Sequence, residues 1–198
     1  MTTTLFLVRH VPHELQGKVQ VGRAEGIELG ECNPERLAAV GRRLSGESLD
    51  AVHASPVERA QLTAHAVAEP HEVEVRTDPD LNELDFGDWT CVAFDELEGR
   101  DDYRAWNEHR SVHRAPNGET MLECQVRMVR AVETARRAHP EGRVALVSHG
   151  DPLKSLILYL LGMPLDAYGR FDLDPASVTT AVVGDWGAKV LRLNEATA

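Results

Sequence analysis

Positive charge is scarce in this chain. Its 198 residues carry 21 Lys and Arg against 32 Asp and Glu, a formal net charge of -11. A field of that sign repels long nucleic acids and anionic membrane surfaces, so neither is expected as a partner. A small anionic ligand fits only where arginines gather locally against the global field. Cysteine is scarce too. Cys32, Cys91 and Cys124 are odd in number and far apart, which excludes a disulfide framework or a cysteine-held zinc site and leaves three small, half-buried fillers. No apolar run is long: Leu156 to Leu161 falls far short of the ~20 residues that span a bilayer. The basic start, apolar middle and small-residue cleavage pattern of a secretory leader are missing, so the expected location is cytoplasmic. Repeats and low-complexity linkers are missing as well, so residues 1–198 are expected to form one domain.

What is present is an alternation of apolar strands and amphipathic helices, in a chain of 42% hydrophobic and 27% charged residues, an ordinary globular composition. The run Leu5 to Val8 ends abruptly in Arg9 and His10. A buried strand of this kind delivers both side chains to the carboxyl edge of a sheet, where open α/β folds build their sites. Arg9 offers a planar fork of donors suited to phosphate, and His10 is a group able to attack near neutral pH. A second apolar strand, Arg143 to Ser148, ends in His149 and Gly150. If the two strands are parallel neighbours, the histidines meet.

Between these strands the spacing predicts a helix from Asn33-Pro34 to Leu44, a strand over Ala51–Ala54 and a helix opened by Ser55-Pro56 with Val57, Ala60, Ala64 and Val67 inward. A strand is expected around Val73 and Val75. Residues 79–118 read as an irregular excursion over one edge of the core. It carries Trp89, Trp106 and the arginines 100, 104, 110 and 114, mostly solvated, of which one or two are expected to reach a second anionic group of a substrate. A long helix over Gly118–Ala138 has the stripe Met121, Val126, Val129, Val132 and Ala135. A helix over Pro152–Leu161 follows, then a hairpin pairing Ser177–Val183 with Lys189–Leu193. The expected class is α/β: a three-layer sandwich with a mostly parallel central sheet and helices on both faces.

Four segments stand in order: Leu7-Val8-Arg9-His10, Ser55-Pro56-Val57-Glu58-Arg59-Ala60, Leu81-Asn82-Glu83-Leu84-Asp85-Phe86-Gly87-Asp88-Trp89, and Val147-Ser148-His149-Gly150. A fifth, Pro116-Asn117-Gly118-Glu119-Thr120, precedes the long helix. Together they resemble the histidine phosphatase superfamily, the phosphoglycerate-mutase-like group. The resemblance implies that His10 becomes transiently phosphorylated, that Arg9, Arg59 and His149 hold the phosphate with Gly150 beside them, and that Glu83 donates a proton to the leaving oxygen. It implies a small phosphorylated substrate, no metal and no cofactor. Those residue types suit the chemistry, because phosphoryl transfer needs positioning and charge on three equatorial oxygens, and paired guanidiniums supply both.

Three positions depart from the family pattern. Val11 stands where Gly is usual and is expected to narrow the pocket. Gln16 replaces a phosphate-contacting Asn with a longer amide, and Cys91 replaces a Gly after Trp89-Thr90. Gly22-Arg23 matches a Gly-Arg near substrate, with an exposed loop arginine as the competing reading. His13, His53, His65, His71, His109, His113 and His139 show no repeated ligand spacing and are assigned to surface or packing roles. A phosphoglycerate mutase and a non-catalytic phospho-ligand sensor are the rival functions. Substrate identity and oligomeric state are not encoded in any motif of the sequence.

Overall fold

A computed structural model describes residues 1–30 and 33–197; Cys32 lies outside them. The elements run β1 (Thr2–Arg9), β2 (Val19–Gln20), α1 (Asn33–Leu44), β3 (Ala51–Ala54), α2 (Glu58–Ala68), β4 (Val75–Thr77), β5 (Val92–Ala93), α3 (Phe94–Glu98), α4 (Asp101–Glu108), α5 (Met121–Ala138), β6 (Arg143–Ser148), α6 (Gly150–Leu160), β7 (Val178–Gly184) and β8 (Gly187–Glu195). Six strands form one sheet in the order β4-β3-β6-β1-β7-β8, and β2 pairs with β5 in a small second sheet. β4, β3, β6 and β1 are parallel, while β7 runs antiparallel to β1 and β8 antiparallel to β7.

Period-two alternation in β1 builds the layers. Leu5 and Leu7 join Val144 and Leu146 of β6 in a core with α5 and α6. Phe6 and Val8 join Ala145 and Val147 in a core with α1 and α2 on the opposite face. Every one of these side chains is at most 1% exposed, and full burial of each large one contributes roughly 1.5–3 kcal/mol. The sheet is therefore covered on both faces, as the apolar strands predict. Among the described residues no helix is long and apolar enough to cross a membrane.

Two helices differ from expectation. The Ser55-Pro56 pair predicts a helix start, but α2 begins at Glu58, because the chain stays extended past β3 and Ser55 is used elsewhere. In α5 the buried stripe is Met121, Cys124, Met128, Ala131, Val132 and Ala135, whereas Val126 is 56% exposed. The capping box of Thr120 and Glu123 starts the helix later than Gly118 and fixes which face turns inward.

The excursion between β4 and α5 is ordered by two interlocked loops. Asp88 N–H donates to the Pro116 carbonyl at 2.9 Å, and Glu119 N–H to the Asp85 carbonyl at 2.8 Å. A Cβ on Gly87 would stand 2.0 Å from the Pro116 oxygen, and one on Gly118 would stand 2.3 Å from the Asp85 oxygen. The backbones meet at a distance only glycine allows. Half-buried fillers are expected, but of the two described cysteines Cys124 is fully buried and Cys91 is exposed with φ +64°. That left-handed conformation costs a residue with a Cβ about 1–2 kcal/mol, which accounts for the family's glycine there. Cys91→Gly is expected to raise stability by about 0.5–1 kcal/mol, seen as a rise in Tm; an unchanged or lower Tm would show that the strain is relieved elsewhere.

Candidate active site

β1 and β6 pair in parallel with Arg9 opposite Ser148, so the next residue of each strand, His10 and His149, emerges side by side. Their ring centroids lie 5.0 Å apart at 60°. Arg59, in the first turn of α2 and 2% exposed, reaches between them. Its Nε donates to His10 Nε2 at 3.2 Å, and its Nη2 donates to the Gly22 carbonyl at 2.7 Å and lies 3.1 Å from His149 Nδ1. A guanidinium has donors only, so both facing imidazole nitrogens must accept. His10 therefore carries its proton on Nδ1, which donates to the Val11 carbonyl at 2.6 Å. His149 carries its proton on Nε2, 2.8 Å from Ser55 Oγ. Burial first, and then the Arg59 charge, holds both histidines well below the ordinary imidazole range. Both are neutral near pH 7, and His10 Nε2 keeps a lone pair facing the guanidinium.

His10 and Arg59 open onto a cavity of about 180 Å³, which Arg9, His13, Gln16, Glu83 and Gly150 also line, while His149 is fully buried. Arg9 donates through Nη1 to the Leu173 carbonyl. The Arg9 guanidinium lies against the start of α6, 3.4 Å from where a Cβ on Gly150 would stand. Arg9 Nε, Arg59 Nη1 and His13 Nδ1 are buried polar atoms with no protein partner. Unpaired groups of this kind cost about 1–3 kcal/mol each, a cost that an anion in the cavity would offset.

Glu83 follows a 3-10 turn over Pro79–Leu81 and is 8% exposed. Its Oε2 lies 3.7 Å from His149 Nδ1, and its Oε1 accepts from Leu84 N–H at 2.8 Å. Burial, reinforced by the neighbouring Asp151 charge, pushes its pKa up to about 7 against the pull of Arg59 and Arg9. At neutral pH it is a carboxyl group balanced between its two protonation states. Among the described residues no three His, Cys, Asp or Glu side chains are grouped to hold a metal ion.

The comparisons with known proteins agree along the chain. The profile of the histidine phosphatase superfamily (branch 1) matches residues 5–196. The chain belongs to that family. Phosphoserine phosphatase 1 of Hydrogenobacter thermophilus is 30% identical over 195 residues, 96% of this chain and 91% of the relative. The adenosylcobalamin/alpha-ribazole phosphatase of Escherichia coli is 36% identical over 182 residues, 86% of this chain and 85% of its own. The crystal structure of an Entamoeba histolytica phosphoserine phosphatase mutant with phosphoserine superposes with a TM-score of 0.87 at 26% identity, covering 98% of this chain and 97% of that one.

Against the family's pattern, His10, Arg9, Arg59 and Glu83 line one cavity, His149 is fully buried against Arg59 and Glu83, and several outlying readings change. Val11 does not narrow the pocket: it is fully buried in the core beside α1 and α2, and its N–H donates to Thr63 Oγ1 at 3.1 Å. Gln16 lines the cavity with its side-chain oxygen unpartnered. His13 is no surface residue. It is 7% exposed, faces His10 across 6.1 Å between ring centroids, and is held neutral, its pKa lowered to about 4 by burial and the two arginines.

Arg23 lies outside this cavity. Its Nε donates to the Glu83 carbonyl at 2.7 Å and its Nη2 to Glu119 Oε2 at 3.1 Å. Behind the same loop stands a residue the motifs do not flag, Arg127 of α5, 8% exposed. It donates to the carbonyls of Asp80, Asn82 and Glu83 at 2.7, 2.6 and 3.1 Å, and to both Glu119 oxygens at 2.8 and 3.0 Å. The Glu83 loop is thus pinned from behind by a buried ion pair. Its only signal in the sequence is a charged residue on the inward face of an amphipathic helix. Arg127→Met leaves Glu119 short of a partner and is expected to destabilise the protein by about 3–5 kcal/mol in urea unfolding. Unchanged stability would show that Arg23 alone secures the loop.

Proposed function

We propose that this chain is a phosphomonoesterase that works through a phosphohistidine on His10, without a metal or a cofactor. The observation that carries the reading is the His10 tautomer: Nδ1–H is committed to the Val11 carbonyl, and the free Nε2 faces a guanidinium inside a cavity lined by two arginines.

A phosphate monoester entering the cavity takes over donors of Arg9, Arg59 and His13, with Arg59 backed by His149, so that the Arg59 Nε proton turns from His10 Nε2 to a phosphate oxygen. His10 Nε2 then attacks phosphorus in line, and the P–O bond to the leaving group breaks. Glu83 gives its proton to the departing oxygen. Water next attacks the phosphohistidine, Glu83 takes up the water's proton, and inorganic phosphate leaves with the acid restored for another turnover. Proton transfer of this kind supplies typically ~10²–10⁴-fold, and a pKa of about 7 suits a group that acts first as acid and then as base.

Two tests follow from the roles. His10→Ala is expected to abolish turnover and acid-labile phosphate labelling together; full activity in that variant would sink the mechanism, and tight phosphate binding with no turnover by the wild type would favour a sensor. For a substrate with a poor leaving group, kcat/KM corrected for substrate ionisation should hold on the acid side, where His10 stays neutral, and fall as pH rises through about 7. Glu83→Gln should remove that alkaline fall and slow alkyl esters far more than activated aryl phosphates. Equal slowing of both would rule Glu83 out as the leaving-group acid. Activity is expected to survive chelator, and bisphosphoglycerate-primed interconversion of phosphoglycerate isomers is expected to be absent; finding it would identify a mutase.

A further inference from the structure

Beyond the phosphate-holding residues, the cavity wall contains a buried cation that the reaction above does not use. Lys154 of α6 is 5% exposed and lines the cavity together with Arg9, His10 and Arg59, while the chain's other lysines, Lys18 and Lys189, are exposed. Its ammonium lies 3.8 Å from the centre of the Tyr168 ring. Among the described residues its ion-pair partner is Asp172 at 3.2 Å, a side chain 90% exposed and therefore strongly screened. A desolvated ammonium with only a solvated counter-ion is costly unless something anionic completes it. Burial accordingly depresses the Lys154 pKa, although the Asp172 contact opposes that.

The excursion's arginines do not supply the second anion contact expected of them. Arg100, Arg104 and Arg114 are exposed and paired with Asp102, Asp101 and Glu123. Arg110 does come near, but its guanidinium is spent. It stacks 3.9 Å from the Trp106 ring centre and 3.6 Å from that of Tyr168, and bonds Asp151 at 2.8 Å and Asn107 at 2.7 Å. Arg110 is thereby paired with Asp151, a second carboxylate of the wall, and beyond Arg9 and Arg59 it is Lys154 that supplies positive charge to the cavity lining.

We propose that Lys154 is the specificity-determining residue of a second anion subsite, and that the preferred substrates are short phosphomonoesters bearing a carboxylate. The proposal rests on the phosphatase reading of the same cavity. A single compact ammonium flanked by Asp151 and Asp172 suits a monoanion; a second phosphate dianion would meet too little positive charge and two nearby carboxylates.

Matched esters that differ only in the carboxylate test it: L-phosphoserine against phosphoethanolamine, and 3-phosphoglycerate against glycerol 3-phosphate. The wild type is expected to favour the carboxylate member of each pair by ~10- to 100-fold in kcat/KM, as one charged contact supplies. Lys154→Met should lower kcat/KM for the carboxylate member ~10- to 100-fold more than for its partner, chiefly through KM, and Lys154→Arg should keep part of the preference. Thermal unfolding of both variants controls for folding, and the within-variant ratio is insensitive to a uniform loss of active protein. No preference in the wild type, or a preference that survives Lys154→Met, would overturn the subsite and leave the phosphatase reading standing. A preference for fructose 1,6-bisphosphate over fructose 6-phosphate that is lost in Lys154→Met would overturn the assignment to a carboxylate. Failure to hydrolyse any ester, p-nitrophenyl phosphate included, would overturn the catalytic reading and the subsite with it.

Discussion

A guanidinium buried between two imidazoles sets the terms for the rest of the cavity. Arg59 keeps its charge in a site that is 2% exposed, and a cation there suppresses protonation of whatever basic group it touches. His10 and His149 are neutral because they are buried and, next, because Arg59 is charged, and their tautomers follow from its having nothing to offer but N–H. The same charge, with that of Arg9, makes the cavity a local exception to a chain of net charge -11. An anion meets repulsion at long range and two unscreened guanidiniums at short range. That arrangement admits small ligands and disfavours polyanions.

Placing such charge next to Glu83 creates a conflict. The arginines that would hold phosphate also favour the ionised carboxylate, which could not donate a proton. Burial resolves it, with help from Asp151, so that Glu83 stays near pKa 7 in spite of Arg59. Burial in turn needs a rigid loop. The interlocked glycines at 87 and 118 and the Arg127–Glu119 pair hold that loop, so the acid's strength depends on packing some distance behind it. In the proposed reaction, stability and proton transfer are coupled through this one backbone segment.

Much of this was legible in the residues. Apolar runs ending in Arg9-His10 and in His149-Gly150 predicted two strands delivering histidines to one sheet edge, and the β1–β6 register places them there. Strand period and helix stripe predicted a sheet covered on both faces. What escaped was whatever depends on which way a side chain turns. Val11 reads as a pocket residue by position, but the chain bends after β1 and buries it in the core. His13 reads as one unpatterned histidine among several, yet three residues after His10 the loop folds back beside it. Val126 fits the helical spacing as well as Met128 does, and only the cap at Thr120 decides between them.

Lys154 was legible in a different sense. A lone lysine inside Pro152-Leu153-Lys154-Ser155-Leu156-Ile157-Leu158, in a helix whose residues 152–158 are all buried, is an inconsistency that a purely structural role would not retain, because a methionine or leucine there avoids desolvating an ammonium. Tyr168 shelters it without neutralising it, and Asp172 neutralises it only from solvent. The cavity therefore holds two kinds of cation, which the proposed subsite sets at its two ends. Paired planar guanidiniums at one end match a phosphate's several oxygens, and a single point charge at the other matches one smaller anion. That asymmetry gives the site an orientation, since a substrate with two different anionic groups can satisfy both ends in only one direction. That direction presents the phosphate to His10.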